Sequence, residues 1–217
     1  MADHYFTASP DSPHKPMRLQ TDYRGHALVL DTDSGVFSRT EIDKGSRALL
    51  DALPERFAGD VLDMGCGYGA LGICFGKASP GCRLTMADIN ERAVLLAKAN
   101  ARANGVTADV LLSDGFAALA GRRFDLIIIN PPIRAGKPVI YRMFQDAATA
   151  LRDTGALMLV IRKQQGAPSA VVQLRSRFGS VEVLEKKGGY WIIRCTKPIP
   201  AVAAPPGAAQ PAQPPEP

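Results

Sequence analysis

Short apolar runs alternate with stretches of helical periodicity from Asp60 onward. The apolar runs, which are short enough to be buried strands, are residues 60–64, 83–88, 109–113, 124–130 and 155–161. Residues 91–103 and 137–151 carry apolar positions at the spacing of an amphipathic helix. Strands separated by helices predict a parallel sheet, because parallel neighbours need a long crossover connection.

Both flanks of this alternating region carry hairpin signals. Residues 180–195 read as two strands joined at residues 188–189, so the last strand is expected to run antiparallel to the others. Residues 17–31 read as two short runs around a turn at residues 24–25. We therefore predict an α/β fold, a Rossmann-like, seven-stranded and mostly parallel sheet with an antiparallel C-terminal strand, preceded by a short N-terminal β-hairpin extension.

Three segments follow from this division. The chain of 217 residues suffices for one ordinary core. Residues 1–58 are expected to form an N-terminal extension, with the hairpin and a helix, that packs on the core formed by residues 59–197. Residues 198–217 form a tail rich in Pro and Ala, which we expect to be disordered because it has too little apolar surface to offset the entropy of ordering.

Composition narrows the class of protein. The hydrophobic share of 46% and the charged share of 22% are those of a soluble globular protein. No apolar run approaches the roughly 20 residues that span a bilayer, so we expect no membrane insertion. Residues 1–16 lack the apolar core of a secretory signal, and a cytoplasmic location is therefore expected.

Cysteine spacing and net charge bear on metals and partners. The four cysteines form no C-x-x-C pair and have no partner at zinc-site spacing, so reduced thiols and no metal site are predicted. The net charge of +5 and a sequence pI near 9.1 favour an anionic partner such as RNA.

A glycine-rich turn, here called the glycine loop (residues 63–69), follows the first predicted strand. It reads Asp-Met-Gly-Cys-Gly-Tyr-Gly, and glycines at a strand-to-helix turn let the backbone approach a nucleoside cofactor closely. The glycines alone also fit a dinucleotide site. Asp63 favours S-adenosylmethionine, because an anion there suits the cationic methionine end of that cofactor and repels a pyrophosphate. The predicted cofactor-binding residues of the loop are Asp63, Gly65, Cys66, Gly67 and Gly69.

Asp88 ends the second strand, about 20 residues after the loop, where a carboxylate accepts hydrogen bonds from both ribose hydroxyls. Its neighbours Ile89 and Asn90 are placed in the same cofactor site. The alternative is a helix N-cap for the stretch that begins at Glu91, a position that Asn90 fits better.

The third strand is followed by Ser113, Asp114 and Gly115. Asp114 is predicted to accept the exocyclic N–H of the cofactor's adenine, with Phe116 packed beside the ring and all three turn residues in the cofactor site. A plain Asp-Gly turn is the alternative.

The fourth strand ends in Asn130, Pro131, Pro132 and Ile133, which we predict to be the catalytic segment. Two prolines hold the backbone extended, so the Asn side chain and a proline carbonyl converge as acceptors. Two acceptors that hold the protons of an sp² amine favour its pyramidal, attacking form, and no strong base is then required. Asn130 is also expected to contact the cofactor.

Basic residues flank the predicted mouth of the site. They are Arg39, Lys44 and Arg47 ahead of the sheet and Arg134 and Lys137 after the catalytic segment. We predict that Arg39, Arg134 and Lys137 bind the substrate backbone, with solvated loops as the alternative. Lys186 and Lys187 lie beside a hairpin turn and are expected to be ordinary surface charges.

These motifs resemble a known family. Residues 63–69 and 130–133, with residues 32–50 ahead of them, are similar to the small single-domain relatives of the 16S ribosomal RNA guanine-N2 methyltransferases, and the likeness extends over residues 3–197. The resemblance implies a class I methyltransferase domain, transfer of a methyl group from S-adenosylmethionine to guanine N2, and ribosomal RNA or the small ribosomal subunit as partner. It also implies that the donor and target sites are lined by Asp63, Gly65, Gly67, Asp88, Asp114 and Asn130.

Two departures keep alternatives open. Many amine methyltransferases stack an aromatic residue on the target base after the two prolines, whereas this chain has Ile133, so Phe37 is predicted to stack instead. The larger ribosomal enzymes carry a second domain, and here only the short hairpin region precedes the sheet. The alternatives are a methyltransferase for a protein glutamine or a small-molecule amine, a nicotinamide-dependent oxidoreductase, and an RNA-binding protein without turnover.

Overall fold

The computed structural model describes residues 12–199, so the predicted tail beyond Ile199 lies outside the described residues. The strands are β1 (Met17–Tyr23), β2 (His26–Thr32), β3 (Gly59–Met64), β4 (Cys82–Asp88), β5 (Ala108–Leu112), β6 (Phe124–Ile129), β7 (Leu151–Arg162), β8 (Phe178–Lys187) and β9 (Tyr190–Pro198). The α-helices are α1 (Lys44–Ala52), α2 (Ala70–Ala78), α3 (Glu91–Ala103), α4 (Lys137–Ala150) and α5 (Ala167–Arg175). Among these described helices, none combines the length and the apolar character that crossing a bilayer requires.

The large sheet has the strand order β5-β4-β3-β6-β7-β9-β8. Strands β3 to β7 pair in parallel, while β9 is antiparallel to both of its neighbours, β7 and β8. Strands β1 and β2 form a separate antiparallel hairpin. The predicted fold class is therefore confirmed. The strand order reverses between β3 and β6, and in open α/β sheets a ligand crevice forms at this point, outside the carboxyl ends of the strands.

Both faces of the sheet are covered, which explains why its central strands are largely apolar on both faces. In β6, Leu126 and Ile128 belong to the core cluster shared with α1, α2 and α3, while Ile127 and Ile129 belong to the cluster shared with α4 and α5. The alternation follows from the two-residue period of a strand. The result is a rigid central layer whose carboxyl edge carries the polar turns.

The N-terminal hairpin is joined to helix α3 through two asparagines. The amide of Asn100 donates to the carbonyl of Asp31 at 2.8 Å and accepts from its N–H at 2.7 Å. Asn104 makes the same pair of bonds to Val29. These side chains satisfy the outer backbone groups of β2, which would otherwise be an open strand edge.

Two predicted boundaries move. Strand β7 begins at Leu151, ahead of the predicted start at residue 155, and helix α4 accordingly ends at Ala150. The early part of β7 contains an irregularity, because Leu151 pairs with Phe124 and the regular register resumes only where Ala156 pairs with Leu126. Local periodicity does not reveal such a bulge, because its residues are polar and exposed.

Candidate active site

A cavity of about 440 Å³ opens at the carboxyl edge of the sheet. It is lined by the turns that follow β3, β4, β5 and β6, by residues of the 36–46 segment, and by one side of α4. The position matches the crevice expected where the strand order reverses. We call this the active-site cavity.

The glycine loop forms the floor of the cavity with left-handed backbone. Gly65 and Gly67 have φ angles of 72° and 57°, and a Cβ added at either would meet no atom within 4 Å. The glycines are required for backbone conformation, and the space beside them remains open to a ligand. Gly69, by contrast, does not line the cavity, since a Cβ there would lie 2.7 Å from Cδ1 of Ile73.

Asp88 ties the second strand to the glycine loop. Its Oδ2 accepts from the N–H of Gly67 at 2.8 Å, and its Oδ1 accepts from the N–H of Asn90 at 2.9 Å. Burial raises the pKa of Asp88, and the backbone donors from Asn90 and Gly67 oppose that shift. Asp88 lines the cavity together with Ile89. Asn90 does not, because it is buried as the N-cap of α3, where it accepts from the N–H of Ala93.

Asp63 lies beneath the loop and does not line the cavity. It is completely buried, with Oδ2 accepting from the N–H of Gly72 at 2.8 Å. Among the described residues its Oδ1 has no hydrogen-bond partner. Burial raises the pKa of Asp63 to about 7, with the charge of Asp88 adding to the shift and the Gly72 donor opposing it. A buried carboxylate with an unused acceptor favours a nearby cation.

The turn after β5 is held by a side chain. Ser113 Oγ donates to the carbonyl of Gly115 at 2.7 Å and accepts from the N–H of Ala118 at 3.0 Å. The three predicted residues of this turn, Ser113, Asp114 and Gly115, all line the cavity. Phe116 is half-buried and packs on the core cluster shared with α4 and α5.

Asn130, at the end of β6, has its amide orientation determined by helix α1. Its Nδ2 donates to Ser46 Oγ at 2.9 Å and to Asp43 Oδ2 at 3.3 Å. Both protons of the amide are thereby used, and Oδ1 remains as an acceptor at the cavity. Asn130, Pro131 and Pro132 line the cavity, whereas Ile133 begins a short 3₁₀ turn outside it.

Asp43 is the N-cap of α1, and its Oδ1 accepts from the N–H groups of Gly45 and Ser46 at 2.9 and 3.2 Å. The carboxylate therefore serves the helix with one oxygen and Asn130 with the other. An N-capping Asp is a common helix signal, and the sequence carries this signal in the Asp-Lys-Gly-Ser pattern at 43–46. Its second role depends on the approach of β6.

The chain is similar to known proteins over most of its length. The model of the methyltransferase small domain family matches residues 27–194. The chain belongs to the methyltransferase small domain family. Its fold is therefore that of a methyltransferase.

The chain is also similar to individual proteins and to solved structures. The chain is 40% identical over 200 residues to "Uncharacterized protein YbxB" of Bacillus subtilis, covering 91% of this chain and all of that protein. It is 35% identical to the "Ribosomal RNA small subunit methyltransferase C" of Serratia proteamaculans over 80% of this chain and 50% of the relative. A T. thermophilus 16S rRNA N2 methyltransferase solved with AdoMet and guanosine superposes with a TM-score of 0.77 at 28% identity, covering 87% of this chain and 52% of that one. The chain thus spans about half the length of the ribosomal RNA methyltransferases that it matches.

The cavity residues fit the cofactor of a class I methyltransferase. Gly65 and Gly67 leave space beside the backbone, Asp88 offers carboxylate oxygens at the cavity wall, and Asp63 keeps one oxygen unpaired below it. Within residues 12–199, no group of three or more His, Cys, Asp and Glu side chains is placed to hold a metal ion.

Several sequence-predicted site residues lie away from the cavity. Besides Asp63, Gly69, Asn90 and Ile133, they are Arg39, Arg134 and Lys137. Arg134 is exposed in the turn that links β6 to α4, Lys137 is exposed as the first residue of α4, and neither lines the cavity. Phe37 does line the cavity and is 40% exposed.

Other lining residues were not predicted. Helix α4 contributes Arg142 and Asp146, whose side chains approach to 3.7 Å at i,i+4 spacing. Burial raises the pKa of Asp146, and Arg142 opposes the shift. The further unpredicted lining residues with polar groups are Ser38, Asp43, Ser46 and Tyr68. The capping pattern of α1 was the local signal for Asp43 and Ser46, whose approach to the cavity depends on how the N-terminal segment docks, while Tyr68 belongs to the glycine loop itself.

Proposed function

We propose that this chain methylates the exocyclic N2 amine of guanine in small-subunit ribosomal RNA. The observation that carries the proposal is the orientation of Asn130, whose amide protons are bound by Asp43 and Ser46 and whose carbonyl oxygen is left as an acceptor at the cavity. An acceptor held in this way suits an NH₂ group, and an amide oxygen is too weak a base to deprotonate a hydroxyl or carbon nucleophile.

The methyl donor is S-adenosylmethionine, which supplies an electrophilic methyl group on a sulfonium when bound. Gly65, Cys66 and Gly67 would contact it through the backbone, and Asp88 would accept its ribose hydroxyls. Each Asp88 oxygen already accepts one backbone N–H and retains further lone pairs for this purpose. Asp63 lies beneath the glycine loop with one unpaired carboxylate oxygen, and it would stabilise the cationic methionine end electrostatically from the other side of that loop.

The adenine side of the site is assigned to the turn after β5. Asp114 lines the cavity with an exposed carboxylate and would accept the exocyclic N–H of the adenine. Ser113 keeps the turn in place by bonding Gly115 and Ala118. Ile89 adds apolar surface from the next turn.

At the target, Asn130 Oδ1 and the Pro131 carbonyl would accept the two amine protons. This arrangement favours the pyramidal nitrogen, whose lone pair then points at the methyl group, and the proton leaves after attack. Because the acceptors matter chiefly in the transition state, they contribute to turnover more than to binding. Phe37, 40% exposed at the cavity, provides the aromatic surface that Ile133 lacks.

Ribosomal RNA is favoured over a protein glutamine by the relatives. The Serratia proteamaculans relative is a ribosomal RNA methyltransferase by name, and the solved T. thermophilus enzyme contains guanosine beside AdoMet. The net charge of +5 is consistent with an RNA substrate. Within this proposal, residues 59–197 form the methyltransferase domain.

The experiment is a transfer assay with methyl-labelled S-adenosylmethionine. The protein is incubated separately with unmodified small-subunit RNA, with assembled subunits and with protein extract, and labelled nucleosides are identified after digestion. We expect N2-methylguanosine from RNA or subunits, and none with Asn130→Ala. Label in protein alone, or on a different nucleoside, would overturn the proposal.

A further inference from the structure

The first turn of α1 separates two cavities. Asp43 and Ser46 line the active-site cavity, whereas Lys44 and Arg47 line a second groove of about 510 Å³ on the other side of the helix. Ile42 contributes to both. The two openings therefore lie on different sides of one short helix, and an α-helix with its side chains is only about 10–12 Å across.

The other wall of the groove is the β8–β9 turn, which contributes Lys187, Gly188 and Tyr190. The Tyr190 ring packs on Gly45, since a Cβ there would lie 2.8 Å from its Cε1. The end of β7 is joined to the same turn, because the N–H of Lys163 donates to the carbonyl of Gly189 at 2.7 Å. We call this the basic groove. Three chain segments that are distant in sequence line it, namely residues 19–21 of β1, residues 40–51 and the β8–β9 turn, and it lies at the same sheet edge as the active-site cavity.

Positive charge collects around the basic groove. The cations in its lining are Lys44, Arg47 and Lys187, and the carboxylates in the lining belong to Glu41 and Asp51. Beside the lining, the Arg162 guanidinium lies 5.7 Å from the Tyr190 ring centroid, and Lys163 is bonded through its backbone to Gly189.

Three of these lysines are available to a ligand. Among residues 12–199, Lys44, Lys163 and Lys187 take part in no ion pair, and all three are exposed. Arg47 differs, because its guanidinium donates to the Asp22 carbonyl at 3.1 Å and to Thr21 Oγ1. Arg47 therefore fixes the hairpin to α1, while the three lysines remain as phosphate ligands.

We propose that the basic groove binds the phosphates of the RNA nucleotides next to the target guanine; this rests on the proposed function and names where its substrate is held. A cationic groove with an aromatic ring in its wall, here that of Tyr190, suits the phosphates and bases of a single-stranded nucleic acid. Arg134 and Lys137 are exposed close in sequence to Ala135, which lines the active-site cavity. The RNA strand then crosses the mouth between these residues and the basic groove, and Lys187 is part of the substrate site.

The test replaces charge while keeping side-chain length. The triple variant Lys44→Gln/Lys163→Gln/Lys187→Gln is compared with Lys98→Gln/Arg102→Gln/Arg175→Gln, which removes the same charge from exposed positions on α3 and α5. Methyl transfer to unmodified small-subunit RNA is measured over a range of salt concentrations, and donor affinity is measured by calorimetry.

For the groove variant we expect the KM for RNA to rise at least about tenfold, and the salt dependence to flatten by about two units of slope, since each phosphate contact on a single strand contributes roughly 0.7. Donor affinity and kcat at saturating RNA should not change, and the control variant should behave as the unchanged protein. Equal KM and equal slope in the two variants would overturn the groove while leaving the proposed function intact. If the unchanged protein labels protein extract and no RNA, the proposed function itself fails, and the groove proposal fails with it.

Discussion

The carboxylate of Asp43 joins the start of helix α1 to the end of strand β6. One oxygen accepts from the N–H groups of Gly45 and Ser46, and the other accepts from Nδ2 of Asn130 at 3.3 Å. A helix cap thereby determines which face of an amide meets the active-site cavity. Asn130, Asp43, Asp88 and Asp63 each lead to one testable prediction.

Asn130→Ala removes the acceptor that we assign to the target amine. Turnover should fall by about 10²–10³-fold, the usual loss for one transition-state hydrogen bond, while calorimetric donor affinity changes little. The kcat and KM of the variant are measured with unmodified RNA. A variant that keeps near-normal kcat would reduce residues 130–133 to a strand terminator.

Asp43→Ser separates the two roles of Asp43. Serine is a good N-cap, so the melting temperature should stay close to that of the unchanged protein, but its hydroxyl is too short to replace the oxygen that binds Asn130. We expect a lower kcat with an unchanged KM for the donor. Ser46→Ala, which removes the acceptor at 2.9 Å, should act in the same direction. If kcat falls only in proportion to lost stability, Asp43 has a purely structural role.

Asp88→Ala should weaken donor binding by roughly 1.5–3 kcal/mol, the range for hydrogen bonds to a charged group. Part of the loss comes from the glycine loop, because Asp88 also accepts from the Gly67 N–H. Asp88→Asn keeps one acceptor and should lose less. Asp153→Ala, at an exposed position in the early part of β7, is the matched control for calorimetry. Unchanged affinity in Asp88→Ala would remove Asp88 from the ribose site.

Asp63 predicts a pH dependence of stability. Its pKa in the folded protein is about 7, above the ordinary value of about 3.9, so the folded protein holds this proton more tightly than the unfolded chain does. The free energy of unfolding should therefore fall as pH rises between those two values, by at most about 4 kcal/mol. Asp63→Asn cannot ionise and should lack this fall.

Denaturant unfolding at pH 5 and pH 8 measures the effect in both proteins. The titrating groups that do not interact with Asp63 are common to both proteins and cancel in the comparison. Parallel pH profiles for the unchanged protein and Asp63→Asn would show that this carboxyl is not protonated in the fold.

Local pattern was sufficient for the sheet and for the cavity floor. Continuous apolar strands alternating with helices predicted the parallel order, and the polar turns after β3, β4, β5 and β6 converge because the carboxyl ends of parallel strands share one edge. Asn90 shows the limit at the level of one residue. It lies next to Asp88 in sequence, but capping α3 turns its side chain into the core.

The sequence by itself determined the fold class, the glycine loop and the segment that carries Asn130, because strand and helix periods, left-handed glycines and proline restrictions act over a few residues. Only the tertiary structure decided that Asp43 meets Asn130, and that Lys44 and Lys187 share one groove. Contacts between segments so distant in the chain depend on how α1 and the β8–β9 turn dock on the sheet edge. How these segments dock is determined by the packing of the whole core, and the local sequence pattern of one segment does not predict that packing.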